Sequence, residues 1–451
     1  VVALALGGCA SVHNLPGNRP LATALPPDHH GSDTASYDDD ILVGLAFSGG
    51  GTRAAAFAFG VLNQLDRTTV REAQGRVSLL ERIDFVSGVS GGSVTAAYFG
   101  LKKRAALADF RERFLLRNAE EQLDTQVSLA SLGRAFGGGI NNDHQFTRWL
   151  DANLFEGATL AQFHQQRRPR IWINASDIYN RTPFVFGKTA FDAMCSDLNS
   201  YKISDAVAAS AAVPLVFAPV ILETYPGGCA APLPDWIERA RKDPHGPLLL
   251  KSFAQATAKY HDGSMRYVKL LDGGLVDNFG LSGFSIGLLS ARAPYQPMTE
   301  RQAAKVRRML FLIVDAGRAP SGNWNQQLEG PTGADLVMAA ADTAVDASVR
   351  ASYTAFNALM TDWVAKMKRW RCGLSGADRQ RLGLGAGWRC NDLQLYIDRL
   401  GFDSLGAHRA QGLNAVPTRF RLQPGAVDAV IDAGGDAVAA SPAFQAFRRG
   451  L

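Results

Sequence analysis

The stretch RIDFVSGVSGGSV, residues 82–94, sets one serine, Ser90, among glycines where an apolar run gives way to small residues. Gly88-Val89-Ser90-Gly91-Gly92 is a G-x-S-x-G pattern. Between a strand and a helix, such a turn lifts the serine oxygen above the sheet edge, where it can attack a carbonyl. Gly88 and Gly92 remove side chains that would collide where strand and helix cross. The same residues also fit a glycine-rich turn whose serine only caps the helix. A serine hydroxyl is a poor nucleophile until a base takes its proton. His144, His164, His245, His261 and His408 follow Ser90, but none ends a clear strand, and His245 and His261 read as loop. A serine–histidine arrangement is therefore poorly supported. Asp272, in VKLLDGGLVDNFG, comes just after a strand-like run and before Gly273 and Gly274. A carboxylate there would share the carboxyl edge of a parallel sheet with Ser90. The alternative is a turn aspartate that bonds its own backbone.

A second glycine-rich stretch, GLAFSGGGTRAAAFAFGVL, spans residues 44–62. A strand runs into Gly49, Gly50 and Gly51 and then into an Ala-rich helix. The first N–H groups of a helix lack intrahelical partners and can hold an anion. That anion could be an oxyanion, or a dinucleotide, because Gly49-x-Gly51-x-x-Ala54 meets the loose dinucleotide fingerprint. The nucleotide reading wants an acidic residue at the end of the next strand, about 20 residues on. Asp66 falls on the helix instead, and no strand ends with a carboxylate there.

These residues need a scaffold. ILVGLAF, IDFVSG, RIWINAS, YVKLLD and MLFLIVDAG alternate with helical stretches over residues 41–320. That alternation predicts an α/β fold with a mainly parallel central sheet and helices on both faces. Residues 321–451 form a C-terminal extension packed on it. Asp335–Trp370 reads as a long helix, LQLYIDRL as a further strand and Pro424–Leu451 as helical.

Taken together, Gly49-Gly50-Gly51-x-Arg53, the G-x-S-x-G at Ser90, SDAVAASAAVPLVFAPV at 204–220 and Asp272-Gly273-Gly274 resemble the patatin-like phospholipases in order and spacing. The resemblance covers residues 41–320. It implies a three-layer αβα sandwich and a serine lipid acyl hydrolase without a cofactor. It makes Ser90 the nucleophile, Asp272 the base, and the amides of Gly49, Gly50 and Gly51 the oxyanion hole. Arg53 supports the glycine loop, and Ala54 stands where many relatives carry Gly. The alternatives are a non-catalytic lipoprotein on this scaffold and a nucleotide-dependent α/β enzyme.

Composition narrows the classes. The 451 residues are 47% hydrophobic and 20% charged, the profile of a globular chain. A net charge of +5 over this length is too mild to argue for nucleic acid. No apolar run reaches the roughly 20 residues of a spanning helix. VVALALGGCAS reads as the tail of a secretory signal (residues 1–9). Leu6-Gly7-Gly8-Cys9 resembles a lipobox, which implies an exported protein held at a bacterial outer membrane by lipidated Cys9. Residues 10–40, including His29 and His30, read as a linker. Cys195, Cys229, Cys372 and Cys390 form an even set, as expected in an oxidising compartment. Local pairing, Cys195–Cys229 and Cys372–Cys390, is expected, and no C-x-x-C pair suggests zinc. The predicted partner is a membrane lipid or acyl-ester substrate. DWVAKMKRWRCG, residues 362–373, interleaves Trp363 and Trp370 with Lys366, Lys368, Arg369 and Arg371. It fits either a lipid headgroup layer or a solvated helix end.

Overall fold

A computed structural model of the chain describes residues 14–23, 39–72, 75–121, 141, 143–165, 168–214, 216–228, 232–320, 324–331 and 333–451. Its central sheet begins with β1 (Ile41–Phe47), a wholly buried apolar run. Such a run suits a strand covered on both faces. A small hairpin, β2 (Thr69–Glu72) and β3 (Gly75–Ser78), stands apart. The sheet continues with β4 (Ile83–Val89), β5 (Arg170–Asp177), β6 (Thr182–Val185), β7 (Val220–Glu223), β8 (Tyr267–Asp272), β9 (Arg308–Val314) and β10 (Gln394–Leu400). The strand order is β10-β9-β1-β4-β5-β8-β7, with β6 attached to β5. β10, β9, β1, β4 and β5 all run parallel. The sequence reading of a mainly parallel α/β sheet is therefore correct.

Two cores flank the sheet. On one face β1 meets α1 (Gly51–Asp66), α2 (Gly91–Lys102) and the helix Pro424–Ala440 through Val43, Phe57, Val94 and Val430. On the other, Leu42 and Phe311 meet the helices Ser282–Ser290 and Gly333–Cys372 through Phe284, Phe356 and Trp363. The chain after residue 320 thus supplies an edge strand of the sheet and helices to both faces.

Four sequence expectations change. β8 does not run parallel to β5. It is antiparallel, with Asp272 opposite Ala175. It descends onto the carboxyl end of β5 and stops there, so Asp272 reaches the same edge from the other direction. Second, residues 14–23, inside the expected linker, are docked. The Asn14 amide donates to the Ala218 and Pro219 carbonyls, and the Asn18 amide donates to Ser196 Oγ and the Glu223 carbonyl. Third, one side of the 362–373 stretch faces inward, while Asp362, Lys366 and Arg369 stay exposed. Trp363 is in the core, Trp370 packs 4.9 Å from the Tyr295 ring, and Arg371 is wholly buried on Asp392 and the Val306 carbonyl. Fourth, His261 closes a helix, Leu248–His261, rather than lying in a loop.

The Cys372–Cys390 disulfide forms as expected. Cys195 is also disulfide-bonded. Cys229, with Cys9, His29 and His30, lies outside the described residues. No helix among the described residues is long and apolar enough to cross a membrane.

The C-terminal helix and α1 cross at backbone contact. A Cβ on Gly434 would lie 2.2 Å from the Phe57 carbonyl oxygen, and one on Gly60 would lie 1.9 Å from the Ile431 oxygen. Only glycine permits that approach. Gly434→Val should therefore lower unfolding stability by about 1–3 kcal/mol or more, read as a drop in the urea midpoint.

Candidate active site

β4 ends at Val89 and α2 starts at Gly91, so Ser90 occupies the bend itself. Its φ of 51° and ψ of −123° lie in a region that costs an L-residue on the order of 1–3 kcal/mol. Such a conformation persists only where the surroundings impose it. Here they do. The Ser90 N–H donates to Ser210 Oγ at 2.9 Å, and Ser210 Oγ donates to the Asn174 carbonyl on β5 at 2.6 Å. A Cβ on Gly88 would fall 2.7 Å from Ser93 Cα, and one on Gly92 would fall 2.5 Å from the Ser48 oxygen. Both glycines are therefore required by the crossing of strand and helix. Gly91 brings α2 against the glycine loop, since its Cβ would sit 1.9 Å from the Gly51 oxygen.

Asp272 is fixed from the same elements. Its N–H donates to the Ala212 carbonyl at 2.8 Å, and the Gly273 N–H donates to the Ser210 carbonyl at 3.1 Å. Ser176 Oγ donates to the Asp272 carbonyl at 2.9 Å. The helix Ile203–Ser210 and the turn after it thus hold both Ser90 and Asp272. The Asp272 carboxylate accepts the Gly274 N–H at 2.8 Å, and the nearby Ser90 side chain also favours its ionised form. Ser90 and Asp272 are 4% and 9% exposed. Burial pushes the Asp272 carboxyl up to about 6, against the opposing pull of the Gly274 N–H and the Ser90 hydroxyl.

The glycine loop lies beside this pair. Gly50 and Gly51 have φ of 138° and 59°, left-handed values that favour glycine. The Gly49 N–H is already used, donating to the Asn278 carbonyl at 3.2 Å and to Asn278 Oδ1 at 3.1 Å. The Thr52 N–H donates to the Arg419 carbonyl at 2.8 Å. No acceptor among the described residues takes the N–H of Gly50 or Gly51. Arg53 is 2% exposed; it donates from Nε to the Ala316 carbonyl at 2.9 Å and from Nη1 to the Val416 carbonyl at 2.7 Å. Burial and Arg318 lower it to about 10, so it stays cationic.

The sequence-predicted residues Ser90, Asp272, Gly49, Gly50, Gly51, Arg53, Gly88, Gly92, Gly273 and Gly274 thus converge at one edge of the sheet. No described histidine hydrogen-bonds Ser90 or Asp272. Among the described residues no cluster of three His, Cys, Asp or Glu could hold a metal. Sequence reasoning missed Ser210 and Asn278, although both fall inside the quoted motifs. It also missed Val416 and Arg419, which carry no local signal. The Arg419 carbonyl sits on the start of α1, where a dinucleotide would place its pyrophosphate.

A serine on a strand–helix elbow, over a mostly parallel sheet and beside a glycine-lined helix start, defines the α/β class with an elbow serine. The chain belongs to the patatin-like phospholipase family, whose family model matches residues 45–284, over half of the 451 residues. Among solved structures it is similar to human GIVD cytosolic phospholipase A2, with a TM-score of 0.44 and 12% identity. That alignment covers 91% of this chain and 63% of the other, so the chain spans less than two thirds of that protein. No curated protein matches the sequence.

Ser210→Ala leaves the buried Ser90 N–H without an acceptor. It should cost about 1–3 kcal/mol of stability, read by urea denaturation, while Ser204→Ala on the same helix, which removes no such bond, costs less.

Proposed function

We propose that the protein hydrolyses acyl esters of lipids, of the phospholipase A, lysophospholipase or general esterase type, through Ser90 and Asp272. The observation that carries this reading is the convergence of Ser90, held on a strained elbow by Ser210, with the buried carboxylate of Asp272, raised to about 6. Ser90 Oγ attacks the ester carbonyl carbon as its proton passes to Asp272. The oxyanion is held by the free N–H groups of Gly50 and Gly51, each such donor being worth a few kcal/mol. Asp272 returns the proton to the leaving alcohol. Water then attacks the acyl-Ser90 ester, again with Asp272 as base. The basicity problem is eased by burial: a carboxylate at its ordinary pKa is a weak base at neutrality, and one raised to about 6 is stronger. Gly49 does not join the oxyanion donors in this scheme, because Asn278 holds its N–H.

The same reading places the protein outside the cytoplasm, anchored to a bacterial outer membrane through acylated Cys9. Two features support this: the Leu6-Gly7-Gly8-Cys9 stretch, and the Cys372–Cys390 bond, a type of bond that persists in oxidising compartments.

A fluorophosphonate probe should label the wild type, fail to label Ser90→Ala, and label Asp272→Asn far more slowly. Undiminished labelling of Ser90→Ala would move the reactive group elsewhere.

The acid limb of kcat/KM should bend near pH 6, falling about tenfold per pH unit below it, because only ionised Asp272 accepts the proton. The same group carries a stability cost. A carboxyl held at about 6 rather than 3.8 binds more protons folded than unfolded between those pH values. Stability is therefore lost as pH rises through that window, by an amount on the order of 3 kcal/mol at neutrality. Asp272→Asn should accordingly melt higher than wild type at pH 7.5 and lose that advantage near pH 4; an unchanged difference across this range would contradict the assignment.

A further inference from the structure

A cavity of about 280 Å³ lies against the sheet face that meets the helices Ser282–Ser290 and Gly333–Cys372. Its floor is a cluster of rings: Phe85 and Trp172 lie 4.2 and 4.4 Å from Phe284, and Phe311 lies 5.4 Å from Phe85. Trp363 and Trp236 close its sides. Neither Ser90 nor Asp272 lines it. Trp172 is level with Ser87, three residues below Ser90 along β4, which is about 10 Å at ~3.3 Å per residue. The chain at Gly280 fills the space between. Ser87 Oγ donates to the Gly280 carbonyl at 2.7 Å, and Asn174 Nδ2 donates to Ser87 Oγ at 2.8 Å. The cavity is therefore a separate compartment beneath the catalytic edge.

Its ionisable lining consists of Asp84, Arg170 and Lys188. Asp84 is committed elsewhere, 3.0 Å from Arg168 and accepting the Val43 N–H at 2.6 Å. Lys188 is half-buried and pairs with no carboxylate among the described residues. An aromatic-walled space beside an uncompensated ammonium asks for an apolar chain ending in one negative charge. At about 30 Å³ per chain atom, the scale of a water molecule, the volume accepts roughly nine or ten carbons.

We propose that this cavity binds a free medium-chain fatty acid, with the chain among Phe85, Trp172, Phe284 and Trp363 and the carboxylate at Lys188. The site stands on its own chemistry. A fatty acid is also the product of the hydrolysis proposed above, and only that link rests on that reading.

The test uses the Ser90→Ala protein, which keeps binding separate from hydrolysis. A chain-brominated decanoic acid is titrated below its micelle concentration while tryptophan fluorescence is read, since Trp172, Trp236 and Trp363 line the cavity. Saturable quenching is expected, with decanoic acid competing and decanol competing at least tenfold more weakly. Lys188→Glu should weaken binding at least tenfold. Gly287→Phe should abolish it by filling the space, because a Cβ at Gly287 meets only Pro297 Cγ, at 3.9 Å; a retained melting temperature shows that this variant folds. Absence of saturable quenching in Ser90→Ala, equal competition by decanol, or quenching that survives in folded Gly287→Phe would overturn the proposal. Loss of fluorophosphonate labelling at Ser90 would not affect it, so the two readings fail separately.

Discussion

A buried carboxylate set beside a serine on a strained elbow is the constraint around which this structure is arranged. Burial of Asp272 raises its proton affinity, and the Gly274 N–H and the Ser90 hydroxyl keep it from rising further. That balance makes a carboxyl serviceable as a base without an imidazole. It also explains the strained elbow. Ser90 must leave the sheet at an angle that brings its oxygen to a carboxylate arriving on an antiparallel strand. The strain is held by the bond from the Ser90 N–H to Ser210 and by the glycine contacts around the turn.

The chain after residue 320 is part of the same device. Val416 and Arg419 present carbonyls to Arg53 and to the start of α1. The Arg419 carbonyl takes up the Thr52 N–H and leaves those of Gly50 and Gly51 open. Phe420 is in turn held by Glu120, its N–H donating to Oε1 at 2.7 Å. The glycine loop is thus gripped from behind by a segment about 370 residues away in sequence. The helix Pro424–Ala440, packed on α1 with backbone against backbone, makes that grip rigid.

Much of this was legible in the sequence for a physical reason. Glycine runs mark places where backbones meet at distances no Cβ allows, and Gly51, Gly88, Gly91, Gly92 and Gly273 stand at such places. Apolar strand runs marked the sheet, and the local Cys372–Cys390 pairing followed from loop length. Strand direction was not legible: YVKLLD has the same pattern whichever way it lies, so the antiparallel descent of β8 stayed hidden. Burial of Trp363 and Arg371 within the 362–373 stretch was also hidden. The tryptophans and cations there suit a headgroup layer as well as a core edge, and Asp392 with the Val306 and Arg389 carbonyls shows where Arg371 is satisfied. The anchoring of residues 14–23 uses two asparagines and backbone bonds at Gly17, Arg19 and Leu21 whose partners are about 200 residues away, beyond any local pattern.

The central claim is that Ser90 carries the acyl group during turnover, with Asp272 moving its proton. The most direct measurement is peptide mass spectrometry of enzyme acid-quenched during turnover of an activated acyl ester. The account predicts an acyl adduct on the peptide containing Ser90, and its loss in Ser90→Ala. An adduct on another residue, or turnover with no acylated Ser90 at any quench time, would contradict it.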